Sequence, residues 1–288
     1  MAEISAAMVM KLRKMSGQGM MDCKKALAEA DGDIDQAMEI LRKKGLATLA
    51  KRAGRETTEG LVVSKSSEDG KTAVLATLCC ETDFVAKSND FKAAAQNLAD
   101  YALDCPEDEG AEKLVESAVE GKSFSDCLAE LVSKTGEKTE VGDFAKYKLD
   151  GPGLITTYIH FNGKVGTMVQ IETSDEKTAQ AELLKQTAGD VAMHITAINP
   201  LALDKDGISP EIIESEKAIF AKQVKNKPEN IIEKIVEGKL RKFFAEKCLL
   251  EQAFVKDDSK TVAEVIEQAG KEAGGEAKIK RFIRFAVG

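Results

Sequence analysis

Apolar residues recur at helical spacing from near the start of the chain. Met8, Leu12 and Met15 fall at i, i+4, i+7 behind a candidate N-cap, Ser5, and the run stops at Ser16-Gly17-Gln18-Gly19. Cys23, Ala26, Leu27 and Ala30 mark a second helix, turned by Asp31-Gly32. Asp33 can cap a third, with Ile34, Ala37, Met38 and Leu41 on one face and Gly45 as its expected stop. Three helices this short share a small core, so the unit reads as a compact bundle whose remaining apolar surface must meet something else. Met20 and Met21, just past the double-glycine turn, suit either of two roles, core plug or adaptable contact surface.

After a charged linker, Leu46 to Glu59, the period becomes extended. Leu61-Val62-Val63, the turn signal Asp69-Gly70 and the apolar run Thr72 to Glu81 predict a β-hairpin. A helix opened by Asp90 follows, with Phe91, Ala94, Ala95 and Leu98 on one face. The pattern then repeats. Gly60-Leu61 recurs as Gly153-Leu154 and Gly70-Lys71 as Gly163-Lys164, both at an offset of 93, while Glu81-Thr82 matches Glu172-Thr173 at 91, which requires a two-residue deletion. Each copy runs hairpin, short loop, helix, the second helix spanning about Lys177 to Ile198. Two related α+β subdomains are expected, their sheets covered on one face by helices.

Between the copies, short helices are expected over Ala111 to Glu120 and Ser125 to Thr135. Asn199-Pro200 ends the repeat's last helix, and Ser209-Pro210 starts another. Ile212, Ile213, Ile219, Phe220 and Val224, a turn at Lys227-Pro228, and Ile231, Ile232, Ile235, Val236, Leu240, Phe243 and Phe244 make a helical hairpin that can pair with itself or a neighbour. Lys278 to Val287, with Ile279, Ile283 and Phe285 on one face, reads as a strand returning to the second sheet.

Composition narrows the chemistry. A net charge of -8 over 288 residues favours a protein partner over a nucleic-acid backbone, and the basic clusters at Lys24-Lys25, Arg42-Lys43-Lys44 and Lys51-Arg52 read as solvated helix ends. Six cysteines without CxxC spacing read as reduced thiols, neither a disulfide framework nor a zinc site. No apolar run is long enough for a bilayer, and Met1-Ala2-Glu3-Ile4 lacks an export pattern, so a cytoplasmic location is expected.

Nucleotide-binding glycine motifs are incomplete: Tyr158 stands where a P-loop would begin, and Asp22 where Gly17 to Gly19 would need a third glycine. With two histidines and no HExxH, no catalytic residue, metal or cofactor is assigned. A thiol enzyme, an RNA-binding module and a ubiquitin-like-protein binder stand as weaker alternatives. His194 lies on a mostly apolar helix and reads as a satisfied core histidine, whereas His160 ends a strand beside Phe161-Asn162-Gly163, a hairpin tip open to a partner.

The most informative segment is Thr82-Asp83-Phe84. Thr82 or Asp83 can cap the turn that follows, but Phe84 has few local neighbours. A ring delivered to another protein's pocket is worth roughly 1.5 to 3 kcal/mol, enough to bias a two-state pocket about tenfold.

Gly19-Met20-Met21-Asp22-Cys23-Lys24-Lys25-Ala26-Leu27 and Cys80-Glu81-Thr82-Asp83-Phe84-Val85-Ala86-Lys87 resemble, in order, the two signature segments of the elongation factor Ts family. The resemblance extends through the duplicated core and helical hairpin to Phe282-Ile283-Arg284-Phe285. It implies an α+β protein: a three-helix, ubiquitin-associated-like N-terminal domain with linker (1–55), a core subdomain (56–145), a second subdomain (146–200 and 244–288) and a coiled-coil hairpin inserted in it (201–243).

The implied activity is guanine nucleotide exchange on elongation factor Tu. Asp83 and Phe84 would intrude near its magnesium and phosphate side, with Thr82 and Val85 of the same segment among the partner-binding residues. Arg13, Met20 and Met21 would grip its nucleotide-binding domain, and His160 would belong to the second subdomain's contact surface. A homodimer through the hairpin is compatible with this, and no nucleic acid, membrane or cofactor is implied. The best-known bacterial members carry a further helical module beyond the match to Gly288, so reduced contact surface is expected here.

Overall fold

The computed structural model describes residues 4–119, 121–224 and 228–288. Three helices open it: α1 (Ala6–Ser16), α2 (Met20–Glu29) and α3 (Ile34–Lys51). Ser5 and Asp33 cap α1 and α3 by accepting from the amides of Met8 and Gln36. Val9, Leu12, Cys23, Ala26, Leu27, Ala37 and Leu41 form their shared core. Met15 is exposed, because the buried stripe of α1 runs through Val9, Leu12 and Ser16. The Ser16 hydroxyl makes that register possible by donating to the Leu12 carbonyl at 2.8 Å.

Gly45 does not stop α3. The helix continues to Lys51 because its buried stripe extends through Ala37, Leu41 and Gly45 toward Leu49, which packs on the next core. At Gly45 a side chain would overlap the Ala129 carbonyl, so the missing Cβ serves close packing and not a turn. Of the basic clusters expected at helix ends, Lys24-Lys25 lies within α2 and Arg42-Lys43-Lys44 along α3, where Arg42 pairs with Asp126 and Lys44 with Asp22, and only Lys51-Arg52 stands at a C-terminus.

Strands β1 (Glu59–Ser66) and β2 (Thr72–Cys80) form the first hairpin, followed by the one-turn α4 (Asp83–Ala86) and α5 (Asn89–Asp104). Ser88, not Asp90, caps α5, accepting from the Phe91 amide. Next come α6 (Ala111–Glu116), the short strands β3 (Ala118–Val119) and β4 (Lys122–Ser123), α7 (Phe124–Thr135) and β5 (Thr139–Lys148). The helix expected from Ala111 to Glu120 ends at Glu116, and Glu120 lies outside the described residues. The antiparallel order β1-β2-β5 carries Phe91 and Leu98 of α5 and Phe124, Leu128 and Leu131 of α7 on one face.

The second copy consists of β6 (Gly153–Ile159), β7 (Val165–Thr173), α8 (Glu176–Gln180) and α9 (Glu182–Ile198). Strand register corrects the repeat. Gly60 pairs with Cys79 and Gly153 with Glu172, so Glu172 is the counterpart of Cys79, not of Glu81. The offset stays at 93 with no deletion: Thr82 caps α4 and Asp175 caps α8, and Phe91, Ala95 and Leu98 of α5 correspond to the buried Leu184, Ala188 and Val191 of α9. The shared Glu-Thr dipeptide is a coincidence of sequence. The second helix is also two, α8 and α9, broken at the extended Ala181.

Helices α10 (Pro210–Gln223) and α11 (Glu229–Lys247) form the helical hairpin, Ser209 capping the first. Lys227 of the expected turn lies outside the described residues. Ile213, Phe243 and Phe244 seat the hairpin's base on Ala202, Ile208 and Cys248. A short ladder, β8 (Ala253–Phe254) with β9 (Asp257–Thr261), leads to α12 (Val262–Glu272) and β10 (Ala277–Ala286).

The second sheet is antiparallel in the order β10-β7-β6, with α9 and α12 supplying Leu184, Val191, Ile195, Val262 and Ile266 to its core. An irregularity between Ile279 and Arg281 breaks the alternation of β10. Ile279 and Phe282 therefore join that helix-covered core, while Ile283 and Phe285 pack between the sheets instead of sharing Ile279's face. There Val62, Leu75 and Tyr147 of one sheet meet Met168 of the other. The chain is a mixed α+β protein with helices outside and two sheets face to face within.

Candidate protein-binding site

The Thr82 segment is built by capping. The Thr82 oxygen accepts from the Val85 amide at 3.4 Å and starts α4, while its hydroxyl and amide donate to Glu137 at 2.8 and 3.1 Å. Asp83 pairs with Lys87 at 2.6 Å, and that ammonium holds its carboxyl below the usual carboxylate range. Val85 turns inward onto the first core. Phe84 alone turns away, its ring 83% exposed on a helix of one turn.

Glu81, immediately before the cap, accepts from the Lys138 amide at 2.6 Å and from Arg52 at 2.7 and 2.9 Å. The amide first, then the guanidinium, hold its carboxyl below its ordinary value. The extension of α3 past Gly45 is what brings Arg52 here. Sequence reading assigned Glu81 no role, and its partners are too distant along the chain for local spacing to reveal them.

Arg13 is exposed in the last turn of α1, and Met20 and Met21, 48% and 65% exposed, head α2. The turn between them is fixed from below. The buried Gln18 donates to the Glu130 carbonyl at 3.3 Å and accepts from the Ser133 hydroxyl at 3.1 Å, both on α7. Helix α7 thus supports the methionine turn along its length and leads, just past its C-terminus, to Glu137 beneath Thr82.

A cleft of about 490 Å³ lies beside α4. Asp83, Ala86, Lys87 and Lys92 line one side, and Phe161 to Lys164 of the β6–β7 turn the other. The turn is clamped to the first sheet by the Val62 amide, which donates to the Gly163 carbonyl at 2.8 Å, and by Lys164 on Glu59 at 2.7 Å. His160 is half-buried, its Nδ1 3.4 Å from the Tyr158 hydroxyl, and does not line the cleft. The exposed residue is its neighbour Phe161, at 92%, which sequence reading passed over. Arg13, Met20 and Met21 do not line the cleft either.

A larger cleft, about 740 Å³, lies between β7, α12 and β10. Its lysines are all paired, Lys278 and Lys280 on Glu172, Lys280 also on Asp150 and Lys271 on Glu267, and it is remote in sequence from both motifs. All six cysteines are free. Burial pushes Cys80 up to about 12 and Cys248 to about 11, and raises Cys79, so these thiols stay protonated at neutral pH and make poor nucleophiles. Among the described residues no helix is long and apolar enough to cross a membrane.

The family model described as Elongation factor TS matches residues 81–288, which makes the chain a translation elongation factor. Curated relatives carry the name Elongation factor Ts. One from a Nitratiruptor species is 45% identical over 287 residues, covering 99% of this chain and 93% of its own. Another, from Clostridium botulinum, is 43% identical with the same coverage, and one from Alkalilimnicola ehrlichii is 44% identical over 288 residues, covering 99% and 92%. The chain belongs to the elongation factor Ts family, whose role is nucleotide exchange on elongation factor Tu during translation elongation.

Proposed function

We propose that the chain drives GDP release from elongation factor Tu by inserting Phe84, carried on α4, beside the magnesium and phosphate site of the GTPase. The observation that carries this reading is the 83% exposure of the ring on a helix too short to move independently of its Thr82 cap. Thr82 and Val85 position the turn, Asp83 presents a carboxylate next to the ring, and the rigid mount lowers the ordering cost of docking. Arg13, Met20 and Met21 grip the nucleotide-binding domain from the α1–α2 turn, where thioethers adapt to an apolar surface. His160 supports the second contact through the β6–β7 turn.

In this reading no covalent bond is made or broken. By linkage, an exchanger that binds the nucleotide-free GTPase best weakens GDP and GTP by the factor with which they weaken it, and abundant GTP then refills the site. Segments 1–55, 56–145, 146–200 with 244–288, and 201–243 are read as the units, the first ubiquitin-associated-like. The protein acts in the bacterial cytoplasm without nucleic acid or cofactor, and the exposed Ile212, Ile219 and Ile231 of the α10–α11 hairpin offer a surface for a homodimer.

The test is release of fluorescent GDP from elongation factor Tu by this protein and by Phe84→Ala at matched concentration. Strong acceleration that the substitution largely removes supports the wedge. Acceleration that survives Phe84→Ala moves the mechanism to the methionine turn, and a flat wild-type trace overturns the reading.

A further inference from the structure

Phe161 has no structural reason to be aromatic. The β6–β7 turn needs Gly163, whose φ of 70° is left-handed, and Asn162, whose Oδ1 accepts from the Lys164 amide at 3.0 Å. Phe161 supplies neither bond, and its one neighbouring ring, His160 at 4.4 Å, leaves it 92% exposed. Among the described residues it and Phe84 are the most exposed large apolar side chains. They stand on the two lips of one cleft, Phe161 lining it and Phe84 rising from the turn that forms the other wall.

Both lips are tied down by hydrogen bonds, the α4 turn through Thr82 and Glu137. The β6–β7 turn is closed by the His160 amide donating to the Val165 carbonyl at 2.9 Å and the Gly163 amide to the His160 carbonyl at 2.8 Å, and is tied to β1 through Val62. A backbone held this way presents the ring from a fixed position, so docking orders only the side chain, which lowers the cost of using it as an anchor.

The charge of the cleft says what it would accept. Lys87 is neutralised by Asp83 and Lys164 by Glu59, whereas Lys92 makes no ion pair among the described residues. One cation is left over between two apolar prongs.

We propose that Phe161 is a second aromatic contact on elongation factor Tu, and that the cleft receives a segment of the GTPase bearing an apolar side chain and a carboxylate. The ring packs on the former and Lys92 meets the latter. The inference rests on the reading that α4 docks on the GTPase, and it adds a prong from the second repeat to the one from the first.

The experiment measures affinity for nucleotide-free elongation factor Tu, with GDP release in parallel, for the wild type, Phe161→Ala, Phe84→Ala, their double variant and Lys92→Gln. Phe161→Ala is expected to weaken binding on the order of tenfold with its thermal midpoint unchanged, since the ring buries almost nothing in the free protein. Lys92→Gln is expected to lose severalfold at low salt and little at high salt. Wild-type affinity in Phe161→Ala, alongside an impaired Phe84→Ala, overturns the proposal and leaves the exchange reading intact. A change in self-association of Phe161→Ala without a change in GTPase binding also overturns it, assigning the ring to a second copy of the chain. A wild type that neither binds nor accelerates release removes both readings together.

Discussion

The Glu137 carboxylate takes two hydrogen bonds from one residue, the Thr82 amide on Oε2 at 3.1 Å and the Thr82 hydroxyl on Oε1 at 2.8 Å. Because the hydroxyl spends its only proton on Glu137, its lone pairs are left facing the Val85 amide, and the cap that starts α4 is oriented from outside the helix. A residue just beyond α7 therefore sets the direction in which Phe84 points.

Glu137→Ala should loosen that mount without removing any residue of the motif. The pair is partly exposed, so the expected stability loss is about 1 kcal/mol, or a midpoint lower by roughly 2–4 °C. GDP release should slow severalfold, and Glu137→Gln, which keeps an oxygen for the hydroxyl, should recover part of it. An exchange rate unchanged in Glu137→Ala would mean that the cap suffices without its external acceptor.

Arg52→Met should separate the N-terminal helices from the motif. Its guanidinium spans to Glu81 at 2.7 and 2.9 Å but is a third exposed, so the pair contributes no more than about 1 kcal/mol. Faster amide exchange in the last turn of α3, with little change in the midpoint, is the expected result. Protection equal to the wild type would show that Leu49 packing alone holds the helix end.

Two helical glycines should respond to alanine with opposite signs. Helix propensity alone favours alanine by about 1 kcal/mol at both. At Gly189 in α9 the added methyl meets nothing, so Gly189→Ala should stabilise by up to that amount. At Gly45 it collides with the backbone of Ala129, so Gly45→Ala should destabilise by about 1–3 kcal/mol and loosen α3 from α7. Thermal denaturation of the two variants decides the matter, and a stabilised Gly45→Ala would refute the close approach.

The same glycine shows where sequence reading reaches its limit. Periodicity located most of the major helices and both hairpins, because burial on one face leaves a mark every 3.6 or 2 residues, but α12 and the strand β5 were passed over. It could not tell a glycine that ends a helix from one that lets two helices touch, since the second role depends on Ala129, far along the chain. Gln18, in what read as a polar turn, is buried because α7 supplies its partners. Lys146 is buried too, donating to the carbonyls of Leu103 in the last turn of α5 and of Cys105 just past it. The exposed Phe84 was legible as a ring without local neighbours, whereas Phe161 was hidden by the histidine beside it.

His194 provides a pH-dependent test of the second core. The imidazole is fully buried, with Nε2 donating to Gln252 Oε1 at 2.9 Å and Nδ1 accepting from the Val255 amide at 3.2 Å. This arrangement fixes the neutral tautomer, since a proton on Nδ1 would face an amide N–H. Burial lowers the folded pKa below the ordinary 6.5, outweighing the Gln252 bond, so the unfolded chain takes up the proton more readily than the folded one. Stability is therefore complete above 6.5 and falls as pH drops from that value toward the lower folded pKa, below which the loss is full. Thermal midpoints measured from about pH 7.5 to 5 should decline over this interval, and His194→Gln, neutral throughout, should flatten the decline at the cost of a lower midpoint at about pH 7.5. An equally steep decline in His194→Gln would assign the acid sensitivity to carboxylates elsewhere, and an unchanged midpoint at the upper end of the range would show that the two imidazole bonds add nothing to the α9 packing.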